Sequence, residues 1–188
     1  MVVEQTRRRF TVEEFERMGA AGILGEDDRV ELLDGEIVEM TPIGPGHAGC
    51  VNRLTQLLVA GLGDRAVVAV QNPVRLALRS EPQPDLVVAR PRADFYRLAH
   101  PTPGDVLLLV EVAETSADFD REVKTPLYAQ AGIPELWLVD VPSRQVVVHR
   151  APAGGRYGEV RSVGHGDRLA PQAFPDVALS VADVLGQA

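Results

Sequence analysis

Lysine is almost missing from this 188-residue chain: Lys124 stands alone against 18 arginines. Arginine replaces lysine freely on solvated surfaces but poorly where a compact, deprotonatable ammonium is needed, so the one surviving lysine is a candidate for chemistry. Cysteine is equally scarce, and Cys50 alone excludes an internal disulfide and a thiolate-built zinc site. Long apolar runs are missing too. The run from Val106 to Val110 is far short of the roughly 20 residues that span a bilayer. Residues 1–10 are charged rather than signal-like, so the expectation is a cytoplasmic protein with no membrane contact. A basic excess is also lacking: 19 Lys and Arg against 27 Asp and Glu leave a net charge of −8. That balance argues against a broad, non-specific hold on DNA and confines any nucleic-acid role to a local surface. What is present, 45% hydrophobic and 24% charged residues, describes one soluble domain over residues 1–188 with material for a real core.

Along the chain, Thr11 and Glu14 have capping-box spacing and Phe10, Phe15 and Met18 form an apolar stripe, which predicts a short helix over residues 10–18. The dipeptide Asp34-Gly35 between residues 30–33 and 36–40 predicts a type I′ hairpin. Val51, Leu54, Leu57, Leu58 and Leu62 give helical spacing to residues 47–62. Strands are expected at residues 66–70, 74–78 and 85–88, and one or two helical turns at 94–99. Residues 106–112 are apolar on both alternating faces, the pattern of a central strand covered on both sides. A helix over 118–131 ends at Gly132, with Pro126 either kinking it or marking a fresh start capped by Thr125. Strands at 136–139, 145–149 and 157–163 complete the pattern.

Glu111, near the end of the central strand, is expected to be buried, and an unpaired buried carboxylate costs several kcal/mol. It must be protonated, paired with an arginine or lysine, or bound to a cation. Asp85 follows Pro84 at the start of another strand, where its carboxylate stands at the sheet end. Two carboxylates from neighbouring strands plus a backbone carbonyl form the oxygen-rich site that a hard divalent ion prefers.

The order Pro84-Asp85, then Glu111-Val112-Ala113, then Lys124 resembles the PD-(D/E)xK nuclease motif, with the lysine moved from its usual place at Ala113 onto the following helix. More specifically, nearly the whole chain resembles the Uma-type restriction endonuclease family. The resemblance runs through residues 29–38, His47, residues 83–86, 110–112 and 120–124, Tyr128-Ala129, Ala131-Gly132 and residues 134–140; Leu136 stands where that family commonly has an aromatic. The resemblance implies an α/β, restriction-endonuclease-like mixed central sheet flanked by helices, with an N-terminal β-hairpin. It implies magnesium, or manganese in its place, held by Asp85, Glu111 and the Val112 carbonyl. Lys124 would orient water or stabilise phosphate charge, Glu31 would be a third acid modulating metal or water, and His47 would contact phosphate or act as an acid-base group. The implied activity is metal-dependent hydrolysis of phosphodiester bonds in DNA, and a homodimer with an arginine-lined cleft would relieve the acidic balance.

Plainer readings compete at each position. Glu111 could pair with an arginine, Lys124 could be an exposed partner of Asp120, Glu31 could be an exposed edge-strand carboxylate, and His47 a surface histidine at a helix end. Asp120 could support Lys124 or cap its helix. Trp137 and Tyr128 read as core, Cys50 as an ordinary small residue, and Arg7-Arg8-Arg9 as a solvated charge run. Two other classes remain open: a catalytically silent dimeric binding or regulatory protein on the same fold, and a metal-free hydrolase using two carboxylates as acid and base.

Overall fold

In a computed structural model of the chain, residues 7–25 and 27–186 are described. Helix α1 (Val12–Ala20) starts at Thr11, whose hydroxyl accepts from the Glu14 amide while the Glu14 carboxylate accepts from the Thr11 amide, the reciprocal capping box expected. The hairpin follows as β1 (Val30–Leu33) and β2 (Glu36–Glu39), with Leu33 paired to Glu36 and Glu31 to Val38. Asp34 and Gly35 both have positive φ, 46° and 81°, as a type I′ turn requires. The turn is clamped from outside: the Phe10 amide donates to the Gly35 carbonyl at 2.9 Å and the Gly35 amide to the Arg79 carbonyl at 2.7 Å. The neighbouring arginines spend their charge locally. Arg7 and Arg8 reach Glu36 and Glu14 at 3.7 and 2.6 Å, and Arg9 bonds Asp34.

Helix α2 (Pro45–Leu62) opens with proline in its first turn, where the missing amide hydrogen costs nothing, and buries Cys50, Val51, Leu54, Leu58 and Leu62. It covers one face of a six-stranded sheet built from β3 (Val67–Val70), β4 (Leu86–Ala89), β5 (Val106–Ala113), β6 (Glu135–Asp140), β7 (Gln145–Ala153) and β8 (Arg156–Gly164), in that spatial order. All neighbours are antiparallel except β5 and β6. That parallel pair needs a crossover. It is supplied by three abutting helical segments, α3 (Ala117–Phe119), a π-turn (Asp120–Lys124) and α4 (Thr125–Gln130). The sheet therefore has two cores. Trp137, Val110 and Leu108 pack with α2, the short pair β9 (Arg168–Leu169) and β10 (Leu179–Ser180), and α5 (Val181–Leu185), whereas Leu109, Leu136 and Ile133 pack with Tyr128 and Ala129 of α4. Leu136 fills its position fully buried.

Three expectations need correction. Residues 74–78 are not a strand: the Val74 amide bonds the Pro82 carbonyl and the Leu76 amide the Ser80 carbonyl, so the segment closes on itself. Pro73, Pro82 and Pro84 remove donors a ladder would need. Residues 94–99 form consecutive turns instead of a helix, with Phe95 and Tyr96 both at positive φ. Thr125 does not cap a new helix. It lies in helical conformation, and its amide donates five residues back to the Asp120 carbonyl. In a regular helix the Pro126 ring would collide with the carbonyl four residues earlier; the widened turn absorbs the misfit without breaking the helix.

A Cβ at Gly35 would lie 2.6 Å from the Arg9 Cβ and 3.0 Å from the Phe10 carbonyl, on a backbone at positive φ. Gly35→Ala should therefore cost about 1–3 kcal/mol of unfolding free energy, measured by urea denaturation. An unchanged midpoint would show that the hairpin turn is not clamped as described.

Candidate active site

Asp85, Glu111, Lys124, Glu31 and His47 converge in one cleft of about 340 Å³. The sheet register brings the two strand acids together: Leu86 pairs with Val110, so the next step outward sets Asp85 beside Glu111. Asp85 is held by three donors. Its Oδ2 accepts from the Val112 amide at 2.8 Å and from His47 Nε2 at 3.0 Å, and its Oδ1 from Gln71 Nε2 at 3.3 Å. In a strand the amide and carbonyl of one residue point to the same edge, so the Val112 carbonyl also faces the side on which Asp85 lies. His47 sits in the first turn of α2 and not on the open surface, and its bond to Asp85 holds its pKa above the ordinary histidine value against the opposing effect of burial.

Lys124 is buried, which removes the reading of an exposed partner for Asp120. Its Nζ lies 3.0 Å from Glu31 Oε1 and 3.3 Å from Glu111 Oε1. Glu31 is buried as well, contrary to an exposed edge-strand carboxylate; it has no cation across the hairpin because its cation comes from the crossover helix. Glu31 Oε2 accepts from the Gln83 amide at 3.0 Å, which ties the hairpin to the segment leading into Asp85. Among the described residues Glu111 pairs with this lysine and with no arginine, and it also accepts a hydrogen bond from the Tyr128 hydroxyl.

One ammonium thus serves two buried carboxylates. Burial pushes the Glu111 pKa up to about 8, with Lys124 pulling the other way. For Lys124, burial opposes the charged form, but Glu111, Glu31 and Asp120 outweigh it and hold the pKa above the usual lysine range. Asp120, also buried, is raised by desolvation while the Ser116 hydroxyl, 2.7 Å from its Oδ2, works against the shift. Among the described residues it forms no ion pair with Lys124, but its charge helps hold the ammonium, and its backbone carbonyl closes the π-turn.

Sequence reasoning missed four contributors. Tyr128, read as core, is the hydroxyl donor to Glu111, and its place four residues after Lys124 on one helix face was the available signal. Gln71 and Gln83 bond the acids from an irregular segment that carries no periodic signal. Glu114 sits at the N-terminus of α2, its Oε2 accepting the His47 amide at 3.2 Å. A Cβ at Gly44 or Gly46 would fall 2.7 or 2.5 Å from a Glu114 oxygen, so those glycines make room for it. Cys50 is turned away, its Sγ toward the Val184 carbonyl, and burial pushes its pKa up to about 12.

The six-stranded mixed sheet flanked by helices, with its N-terminal strand pair, is a restriction-endonuclease-like α/β fold. The chain belongs to the Uma2 family, described as "Putative restriction endonuclease", which matches residues 12–182. Its fold is similar to that of a protein from Anabaena variabilis described as a putative nuclease belonging to DUF820, with a TM-score of 0.74 and 15% identity over 94% of this chain and 97% of that one. No curated protein is similar in sequence.

Because burial raises Glu111, the folded state keeps a proton that the unfolded state releases above the ordinary value of 4.5. The stability this contributes is full below about 4.5 and is lost as pH rises through about 8. Glu111→Gln cannot ionise, so in EDTA its melting temperature should fall less than that of the wild type between those limits. Parallel curves would place Glu111 in an ordinary, solvated environment.

Proposed function

We propose that this protein is a metal-dependent endonuclease that hydrolyses phosphodiester bonds in DNA. The observation that carries the reading is the convergence of Asp85, Glu111, Glu31 and Lys124 in one cleft. The donors fit a hard divalent cation: carboxylate oxygens of Asp85 and Glu111 with the Val112 carbonyl, and no sulfur. Among the described residues no group of three or more His, Cys, Asp and Glu is spaced to cage a metal. Magnesium is held by one or two carboxylates and completes its shell with water and substrate phosphate. Bound there, the ion would supply Lewis-acid polarisation of a phosphoryl oxygen and a water of lowered pKa.

The chain's own groups divide the remaining work. Lys124 presents a fixed ammonium beside Glu111, suited to orienting water and to stabilising the negative charge that grows on phosphorus-bound oxygens. Glu31 holds that ammonium in place, and Tyr128 does the same for the Glu111 carboxylate. His47, bonded to Asp85 in the first turn of α2, would contact a substrate phosphate or act as an acid-base group.

Purified protein should cut plasmid DNA with magnesium or manganese, and EDTA should stop it. Lys124→Ala should lower cleavage by about 100-fold or more while divalent-ion binding persists, since the ammonium is a rival of the cation and no ligand to it. Lys124→Arg should also be poor, because the planar guanidinium cannot reproduce a compact charge between two acids. If wild type and Asp85→Ala show the same residual cutting, the nuclease reading fails. In parallel melts, magnesium at about 100 times its dissociation constant should stabilise the wild type by roughly 2.7 kcal/mol, and Asp85→Asn should lose that gain. A metal-independent cleavage that survives EDTA would instead favour two-carboxylate acid-base chemistry.

A further inference from the structure

β8 is the last strand of the six-stranded sheet, and among the described residues no strand pairs with its outer side. It is nine residues long, and its central residues Gly158, Glu159, Val160, Arg161 and Ser162 are all exposed. Long open edges invite another strand, and proteins usually guard them with lysine, proline or a covering element. β8 holds neither lysine nor proline, and Val160, at 59% exposed, is an apolar side chain in the middle of the open stretch.

The charges beside Val160 are unspent. Glu159 stands directly across from Arg150 in β7, but Arg150 is turned to the fully buried Glu135 at 2.6 Å. Arg161 stands across from Val148. Neither Glu159 nor Arg161 forms an ion pair among the described residues. Arg161 instead lines a shallow pocket with Arg150 and Arg168, three guanidiniums on one side of the strand.

We infer that β8 is a self-pairing edge, and that two copies of this chain join antiparallel along it about a two-fold axis at Val160. In an antiparallel pair the residues directly opposite each other share a face, and their positions run in opposite directions. With Val160 opposite Val160 of a second copy, Glu159 falls opposite Arg161 and Arg161 opposite Glu159, so both unspent charges are paired twice. Gly158 then meets Ser162, small against small, and each Glu159 enters the arginine-rich pocket of its neighbour. A slip by one residue in either direction loses the Glu159–Arg161 pairs and flips side chains to the wrong face. The same charges that would discourage an unrelated strand therefore select a second copy in one register. The interface is isologous, as a two-fold dimer requires.

Sedimentation of the full chain tests this without any cleavage assay, so its outcome is independent of the nuclease reading. The wild type should be a dimer. Glu159→Arg and Arg161→Glu should each raise the dimer dissociation constant by about tenfold or more, since each sets like charges opposite one another. The two substitutions combined restore complementary pairs and should bring the constant back to within about threefold of wild type. Val160→Asp, which sets two carboxylates across the axis, should also dissociate the dimer. All of these residues are exposed, and unchanged melting of the monomeric fraction will show that the fold is intact. A wild-type monomer, single variants that dimerise like wild type, or a combined variant that stays dissociated would each overturn the proposal.

Discussion

The structure turns on one ammonium group shared by two buried carboxylates. Lys124 reaches Glu31 at 3.0 Å and Glu111 at 3.3 Å, and all three side chains are withdrawn from solvent. Placing an isolated charge in such a site costs several kcal/mol, so each group depends on the others for its ionised form. The triad also spans the chain. Glu31 comes from the N-terminal hairpin, Glu111 from the central strand, and Lys124 from the crossover helix, so their electrostatic attraction joins three elements that the backbone ladder does not connect. With one positive charge for two acids, burial leaves Glu111 a reluctant anion.

Much of the irregular structure follows from holding that site. The hairpin could not place Glu31 without the clamp on Gly35 and the bond from the Gln83 amide. The crossover helix carries Pro126 where a regular turn would clash, and the π-turn that accommodates it lies over Asp120–Lys124, whose first and last residues face the cleft. Gly44 and Gly46 leave the space in which Glu114 meets the start of α2. Behind the cleft, β4, β5 and β6 are almost wholly buried, which is the usual division between a rigid scaffold and a site built from loops and strand ends. No helix among the described residues is long and apolar enough to cross a membrane.

The acidic balance of the chain reads differently once the charges are located. Six acids, among them Glu31, Asp85, Glu111, Glu114 and Asp120, line the cleft. Arg7, Arg8 and Arg9, a basic run in the sequence, are paired with acids of the hairpin and α1. Among the described residues, the cationic groups without ion-pair partners include Arg161 and Arg168, beside the open strand β8.

What the sequence determined by itself was whatever depends on near neighbours. The capping box at Thr11 and Glu14, the Asp34-Gly35 turn, the α2 stripe and the doubly apolar β5 are set by contacts a few residues apart, and each appears with the expected pairing or period. The family resemblance added the identity of the acids and the lysine, but not their arrangement. Tertiary structure alone decided that Glu31 has Lys124 as its partner, 93 residues away. It also decided that His47 leans on Asp85, and that Tyr128 uses its hydroxyl on Glu111 while its ring packs in the core. Residues 74–78 look like a strand but fold back on themselves, because their apolar alternation could not register that the donors on either side had been removed by proline. Burial supplies the physical reason: a charge exposed in a local fragment needs no partner, and it acquires one only when the packed sheet takes away its water.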